Sequence, residues 1–268
     1  MSIQSSGEYQ EYGLQLLLAD KAEEALAVFE EGARKFPGDA ELNLGRALTL
    51  NRVGEYVRAS EILEGLRAAP TQIEDVLTGL VEAYLGRGMS QAALAAATEA
   101  ASGPAARDAE TLCRLGRAFY THRRYRDGLP FYERSAELAP KWGEAWFGLG
   151  ACQWALKRPA GAEAALRRAV ELEPTDWQAR QFLGCVLHDL GRKKDAREML
   201  ESVPLDVPWQ KPALERLVAT AWWPRDAEKR KQMESLWKSV MGGAPPRGTR
   251  DLLEEVSRYR HSPAAFHT

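Results

Sequence analysis

Small residues recur at a fixed interval along this chain. Ala25, Ala59, Ala93, Gly128, Ala162 and Ala196 stand 34, 34, 35, 34 and 34 residues apart. A period of that length is the mark of a stacked repeat whose unit is one supersecondary element. It commits the chain to an array in which each unit buries its apolar face only against its neighbours. Such an array lengthens by adding units, so a chain of 268 residues need not divide into separate cores.

A second pattern inside each period identifies the unit. Four residues after the small residue stands Phe29, Leu63, Ala97, Tyr132, Leu166 or Leu200, and a spacing of four puts both on one face of an α-helix. Upstream lies another small residue, Gly13, Ala47, Gly116, Gly150 or Gly184, with Val81 in the third unit. It follows Tyr12, Arg46, Leu80, Leu115, Leu149 or Leu183. Two helices per period are expected, brought to about 8–10 Å by the small residues. A glycine inside a helix costs about 1 kcal/mol against alanine, so its recurrence points to packing. Pro37, Pro70, Pro104, Pro140, Pro174 and Pro204 break the chain between units. Gly54, Gly88 and Gly191 mark turns inside them. The extra residue of the long interval falls in Ser102–Ala106 and predicts a stagger between the third and fourth units.

These units resemble tetratricopeptide repeats, with their W-x2-L-G-x2-Y, A-x3-F and terminal proline. The fifth unit carries Trp146, Leu149, Gly150, Ala162, Ala169 and Pro174; the fourth carries Leu112, Leu115, Gly116, Phe119, Gly128, Tyr132 and Pro140. The resemblance implies an all-α, right-handed superhelical α-solenoid of about six helix-turn-helix units. Their bounds are 6–39, 40–73, 74–108, 109–142, 143–176 and 177–210. Residues 211–241 read as a seventh helix pair and cap, with Leu214, Leu217, Val218 and Trp222 ahead of Pro224. The stripe Met233, Leu236, Trp237, Val240 and Met241 is expected to close the array, or else to form a homodimer surface through its first four members. Residues 242–268 read as a linker, a short helix from Thr249 to Arg260 with Leu252, Leu253, Val256 and Tyr259 on one face, and a tail.

The resemblance also implies a concave groove, lined by the first helix of each unit, that holds a peptide or helix of a partner protein. The period assigns to it Leu14, Leu17 and Leu18, then Leu44 and Leu48, then Arg114, Arg117 and Tyr120, then Phe147, Trp154 and Phe182. Gly45, Gly79 and Gly148 are expected to leave hollows between these helices. Tyr120, Phe147, Trp154 and Phe182 are the expected anchors, Trp154 and Phe182 foremost, which puts binding in the C-terminal half; the alternative is that they pack between neighbouring helices. Arg114 and Arg117 either hold a ligand carboxylate or pair with Glu110 or Glu82. Glu41, Asp75, Glu110 and Glu144 recur near helix starts, where an acid suits the positive end of the helix. The carboxylate clamp of eukaryotic chaperone adaptors is matched at no more than one position in the windows compared.

A formal net charge of −2 gives no general pull toward nucleic acid. No basic start with an apolar core opens the chain and no apolar run reaches membrane-spanning length, so a cytoplasmic protein without membrane insertion is expected. Cys113, Cys152 and Cys185 lack paired-ligand spacing and read as reduced thiols. No phosphate loop, HExxH, GxSxG or GxGxxG is present. Cys185, His188 and Asp189 cluster on one helix without an oxyanion hole or a third metal ligand. The expectation is a scaffold with no catalytic residue, metal or cofactor. Its Ala- and Arg-rich style points to a GC-rich bacterial genome, where the resemblance implies an assembly, secretion or regulatory complex. The alternative is a structural protein that self-assembles through the solenoid ends or the C-terminal helix.

Overall fold

The computed structural model describes residues 5–68, 73–220 and 227–243. Pro70, Trp222, Pro224 and the segment Thr249–Arg260 lie outside the described residues. Among those described there are fourteen α-helices, one short 3-10 helix and no strand. They pair as α1 (Ser6–Leu18) with α2 (Ala22–Lys35), α3 (Ala40–Arg52) with α4 (Tyr56–Leu66), and α5 (Ile73–Gly86) with α6 (Ser90–Ser102). Then come α7 (Ala109–Thr121) with α8 (Tyr125–Leu138), α9 (Gly143–Ala155) with α10 (Pro159–Leu172), and α11 (Trp177–Asp189) with α12 (Lys193–Glu201). α13 (Lys211–Ala219) and α14 (Ala227–Met241) follow. The result is an all-α repeat solenoid.

The chain forms two compact units, one up to Ala139 and one from Pro140. The residue that lengthens one period is taken up by the 3-10 turn Pro104–Arg107, whereas the compact division comes a repeat later.

Two local rules start and stop the helices. In four repeats the first helix is capped by a side chain, whereas α9 follows Trp142 without such a cap. The Ser5 hydroxyl accepts from the Glu8 N–H, and the Asp39 carboxylate from Leu42. Asp108 accepts from Glu110 and Thr111, and Asp176 from Gln178 and Ala179. Each bond satisfies a donor with no partner inside its helix. The turn to the second helix passes through one left-handed residue in every repeat: Asp20, Gly54, Gly88, Arg123, Lys157 and Gly191, with φ between 58° and 84°. The N–H of the next residue reaches back to a helix carbonyl, as in Lys21 to Leu16 and Arg158 to Gln153, both at 2.9 Å. Three repeats use glycine there and three do not. Lys157→Gly is therefore expected to stabilise the second unit by about 0.5–1 kcal/mol, since a Cβ is strained in this conformation. Gly191→Ala should lose about as much. Urea midpoints check both, and a fall for Lys157→Gly would contradict the argument.

The periodic residues form the core. Ala25, Ala59, Ala93, Ala162 and Ala196 are wholly buried, and Gly128 is buried too. The first-helix glycines sit on the large residue of their own second helix. A Cβ at Gly13 would stand 2.5 Å from Phe29, at Gly116 2.8 Å from Tyr132, at Gly150 2.6 Å from Leu166 and at Gly184 2.5 Å from Leu200. In the second unit α14 turns Met233 and Trp237 inward, fully buried, with Leu236 and Val240 half-buried. Two of the four residues considered for a homodimer surface are thus used within the unit.

Candidate functional site

In the first unit the first helices lie side by side, α1 on α3, α3 on α5 and α5 on α7. Their shared face begins apolar. Leu14 is 47% and Leu18 89% exposed, Leu48 is half-buried and Leu44 is buried. Gly45 and Gly79 do not open hollows here. A Cβ at Gly45 would meet the Phe29 ring at 2.5 Å, and one at Gly79 would meet Leu48 at 2.9 Å and Leu63 at 3.1 Å. Both glycines admit side chains already present. Gly148, in the second unit, is buried.

Toward α7 the face becomes charged. Arg114 Nη1 donates to Asp75 Oδ1 at 2.7 Å, bridging α5 and α7. The arginine thus selects the helix-start acid of the preceding repeat rather than Glu110 or Glu82. Glu82 is exposed, yet burial by the surrounding chain pushes its carboxyl up, against the pull of Arg117 and Arg114. Arg117 is exposed beside it. The half-buried Tyr120 tilts against Tyr125, with ring centroids 5.2 Å apart.

The second unit stacks α9 on α11 and α11 on α13. Its aromatic residues pack on one another. Phe182 stands edge-on to Phe147 at 5.1 Å and to Trp154 at 5.3 Å. Trp154 and Phe182 are each 7% exposed, and Phe147 is half-buried. Above this seam lies a polar node. Trp154 Nε1 donates to Asp189 Oδ2 at 2.9 Å. Arg216 donates to Asp189 from Nη2 at 3.0 Å and Nε at 3.1 Å, with its guanidinium 5.4 Å from the Trp154 ring centre. Burial alone would raise the Asp189 carboxyl. His188, whose Nδ1 at 3.8 Å is an electrostatic neighbour beyond hydrogen-bond reach, the Arg216 charge and the Trp154 N–H outweigh it and hold the carboxyl at about 2.

Arg216 is the residue the sequence reading missed. It continues the series Arg114, Gly148 and Phe182 by one more period, so carrying the phase past the sixth unit would have found it. The Cys185 thiol, wholly enclosed, is pushed up to about 12 by burial despite Arg216. It stays protonated at neutral pH, unsuited to attack or to binding a metal. Among the described residues no group of His, Cys, Asp and Glu could hold a metal ion, and no helix is long and apolar enough to cross a membrane.

Two family models, both described as Tetratricopeptide repeat, match this chain. One covers residues 15–73 and 113–176 and the other 154–220, together more than half of the sequence. The interval between the matched stretches holds the third repeat, where Val81 and Ala97 depart from the pattern. No curated protein matches the sequence significantly. Among solved structures, a tetratricopeptide repeat protein from Parabacteroides merdae is similar at a TM-score of 0.60 and 15% identity, over 94% of this chain and 98% of that one. The C-terminal part of a TPR repeat-containing protein from Cytophaga hutchinsonii gives 0.58 and 15%, over 91% and 98%. A chain of the APC/C hetero-tetramer Cut9–Hcn1 gives 0.62 and 17%, over 81% of this chain and 43% of that one. At such identities the likeness concerns the fold.

Proposed function

The chain belongs to the tetratricopeptide-repeat family, and on that premise we propose that it is a non-catalytic scaffold holding an amphipathic segment of a partner protein against its first-helix face. The observation that carries this reading is the exposed pair Leu14 and Leu18 at one end of the first unit's face, with Asp75, Glu82, Arg114 and Arg117 at the other. Leucines at a spacing of four accept the apolar stripe of a helix, and the charged end orients it. In this reading Leu48, Arg117 and Tyr120 contact the ligand, Arg114 acts from its pair with Asp75, and Leu44 supports Leu48. In the second unit Phe147 and Arg216 offer surface, while Trp154 and Phe182 hold its shape.

The test is affinity capture of partners from the native host. Leu14→Asp/Leu18→Asp alters exposed side chains and should leave the fold intact. Loss of two apolar contacts, each worth about 1.5 kcal/mol or more, should weaken partner retention at least tenfold. If this folded variant retains every partner, the groove reading fails.

Self-assembly through the solenoid ends has less support. The positions equivalent to Glu8 in later repeats are buried: Leu42, Val76, Thr111, Ala145, Ala179 and Ala213. Those equivalent to Gln15 include the buried Thr49, Ala83, Cys152 and Val186. Leu42 shows the direction of this face, since its Cδ1 packs at Gly32 of the preceding α2. In α1 Glu8 and Gln15 are exposed and polar, with Tyr12 46% exposed between them; two of these three positions suit water better than another repeat. Light scattering should return a monomer mass independent of concentration. Three buried cysteine thiols fit a reducing compartment, and we propose a cytoplasmic location.

A further inference from the structure

α12 is a short second helix. It ends after 9 residues, whereas α2, α8 and α10 each run for 14. Irregular chain follows, pinned by Trp209, whose Nε1 donates to the Pro204 carbonyl at 2.9 Å. α14 crosses the space left by the missing turn without filling it. A cleft of 670 Å³ remains, within the size range of ligand sites. Its apolar lining is Leu200, Val203, Leu205, Leu217 and Leu236, and Glu201, Asp206 and Lys229 stand among its polar residues. The α14 lining runs from Lys229 to Ser239, about 15 Å at 1.5 Å per residue. α14 also buries Trp237 Nε1 without an acceptor among the described residues, so this end of the unit lacks a polar partner.

The chain leaves α14 through Gly242, whose φ of +78° ends the helix and allows reversal. Another 25 residues follow Gly243. The segment 249–260 lies outside the described residues. Its sequence places Leu252, Leu253, Val256 and Tyr259 at helical spacing, with Arg250, Arg258 and Arg260 balanced by Asp251, Glu254 and Glu255 around them. As a helix it would span about 18 Å, enough to cover the α14 lining of about 15 Å. The linker 244–248 falls within the usual connection between antiparallel helices.

We propose that segment 249–260 docks in this cleft as an antiparallel partner of α14. Its apolar face covers Leu205 and Leu236; of the charges lining the cleft, Asp206 meets its arginines and Lys229 its acids, while Glu201 already pairs with Arg197 at 2.6 Å. A tether this short raises the local concentration of the segment to about millimolar, so it excludes a free helix of equal affinity. Docked, it hides both apolar surfaces; a competitor that displaces it exposes both.

Hydrogen exchange on the full chain tests this. In the wild type, amides in 250–260 should exchange at least about tenfold more slowly than in an unfolded chain, independently of protein concentration. Val256→Asp should remove that protection and speed exchange in 232–239, leaving α9 and α11 unchanged. Leu236→Asp, on the opposite side of the contact, should do the same, and combining the two should add nothing to either. Absence of protection in 250–260, or fully additive effects of the two substitutions, overturns the proposal. Protection that grows with concentration also overturns it, in favour of a second copy as the occupant.

Discussion

Replacing Phe29 with alanine will cost the first unit about 3–5 kcal/mol, the range for losing a buried aromatic ring. The ring is wholly buried and fills the space above two glycines, Gly13 in its own repeat and Gly45 in the next. A Cβ at either glycine would stand 2.5 Å from the ring. Neither glycine has a side chain that could swing into the vacated volume, so the cavity persists unless whole helices shift. The glycines also supply a control whose sign reverses. Gly13→Ala and Gly45→Ala should destabilise the wild type by overpacking. In the Phe29→Ala background each should restore part of the loss, because the ring that collided is gone and alanine favours the helix. Denaturant midpoints of the four-member cycle read this directly. Additive effects would show that the ring and the glycines are not in the contact described.

The second large effect is confined to acid. Asp189 carries a folded-state value of about 2 against an ordinary 3.8. A lowered carboxyl stabilises the folded form above the unfolded value and loses that contribution as pH falls through the folded one. Asp189 is exposed, so solvent screening reduces the contribution to about 1 kcal/mol at neutral pH, lost progressively as pH falls from about 4 through 2. Glu215 works in the opposite direction, since burial raises its carboxyl and its protonation on acidification favours the fold. The informative quantity is thus the difference between wild type and Asp189→Asn across pH. That difference should be about 1 kcal/mol at pH 7, after solvent screening, and shrink to a small fraction of that as pH falls through 2. Asp189→Ala should cost about 3 kcal/mol at neutral pH, because it strands the Arg216 guanidinium and the Trp154 N–H together. A difference that does not change with pH would mean that Asp189 acts through packing alone.

The periodic residues were readable because their requirement is steric and local. Gly13, Gly116, Gly150 and Gly184 each answer to one large side chain a short distance along the same hairpin, so sequence spacing carries the contact. The turns were half readable. Gly54, Gly88 and Gly191 advertise a left-handed residue, while Asp20, Arg123 and Lys157 take the same conformation without the usual residue type.

The candidate site was harder to read, because its contacts join different repeats. Arg114 had acids within reach on its own helix and the next, and pairs with Asp75 on the latter; that choice depends on how far α5 and α7 slide. Trp154 and Phe182 occupy positions the period assigns to the face, but they lean on each other and bury themselves. Gly45 lies on the same period, yet the direction a Cβ would take there points at Phe29. Period locates a residue on a helix; it does not say which neighbour the side chain selects.

The outer side of α1, polar at Glu8 and Gln15 and apolar at Tyr12, bears on how an array like this one can be lengthened by engineering. A copy of residues 40–73 inserted at position 74 would meet a complementary surface on each side, because Leu42 and Val76 are cut for the same kind of neighbour. The same copy fused ahead of Ser6 would have to bury Glu8 and Gln15, an unfavourable junction without new polar partners. Duplication within the array should therefore yield a longer continuous protein, and duplication at this edge two proteins on a string.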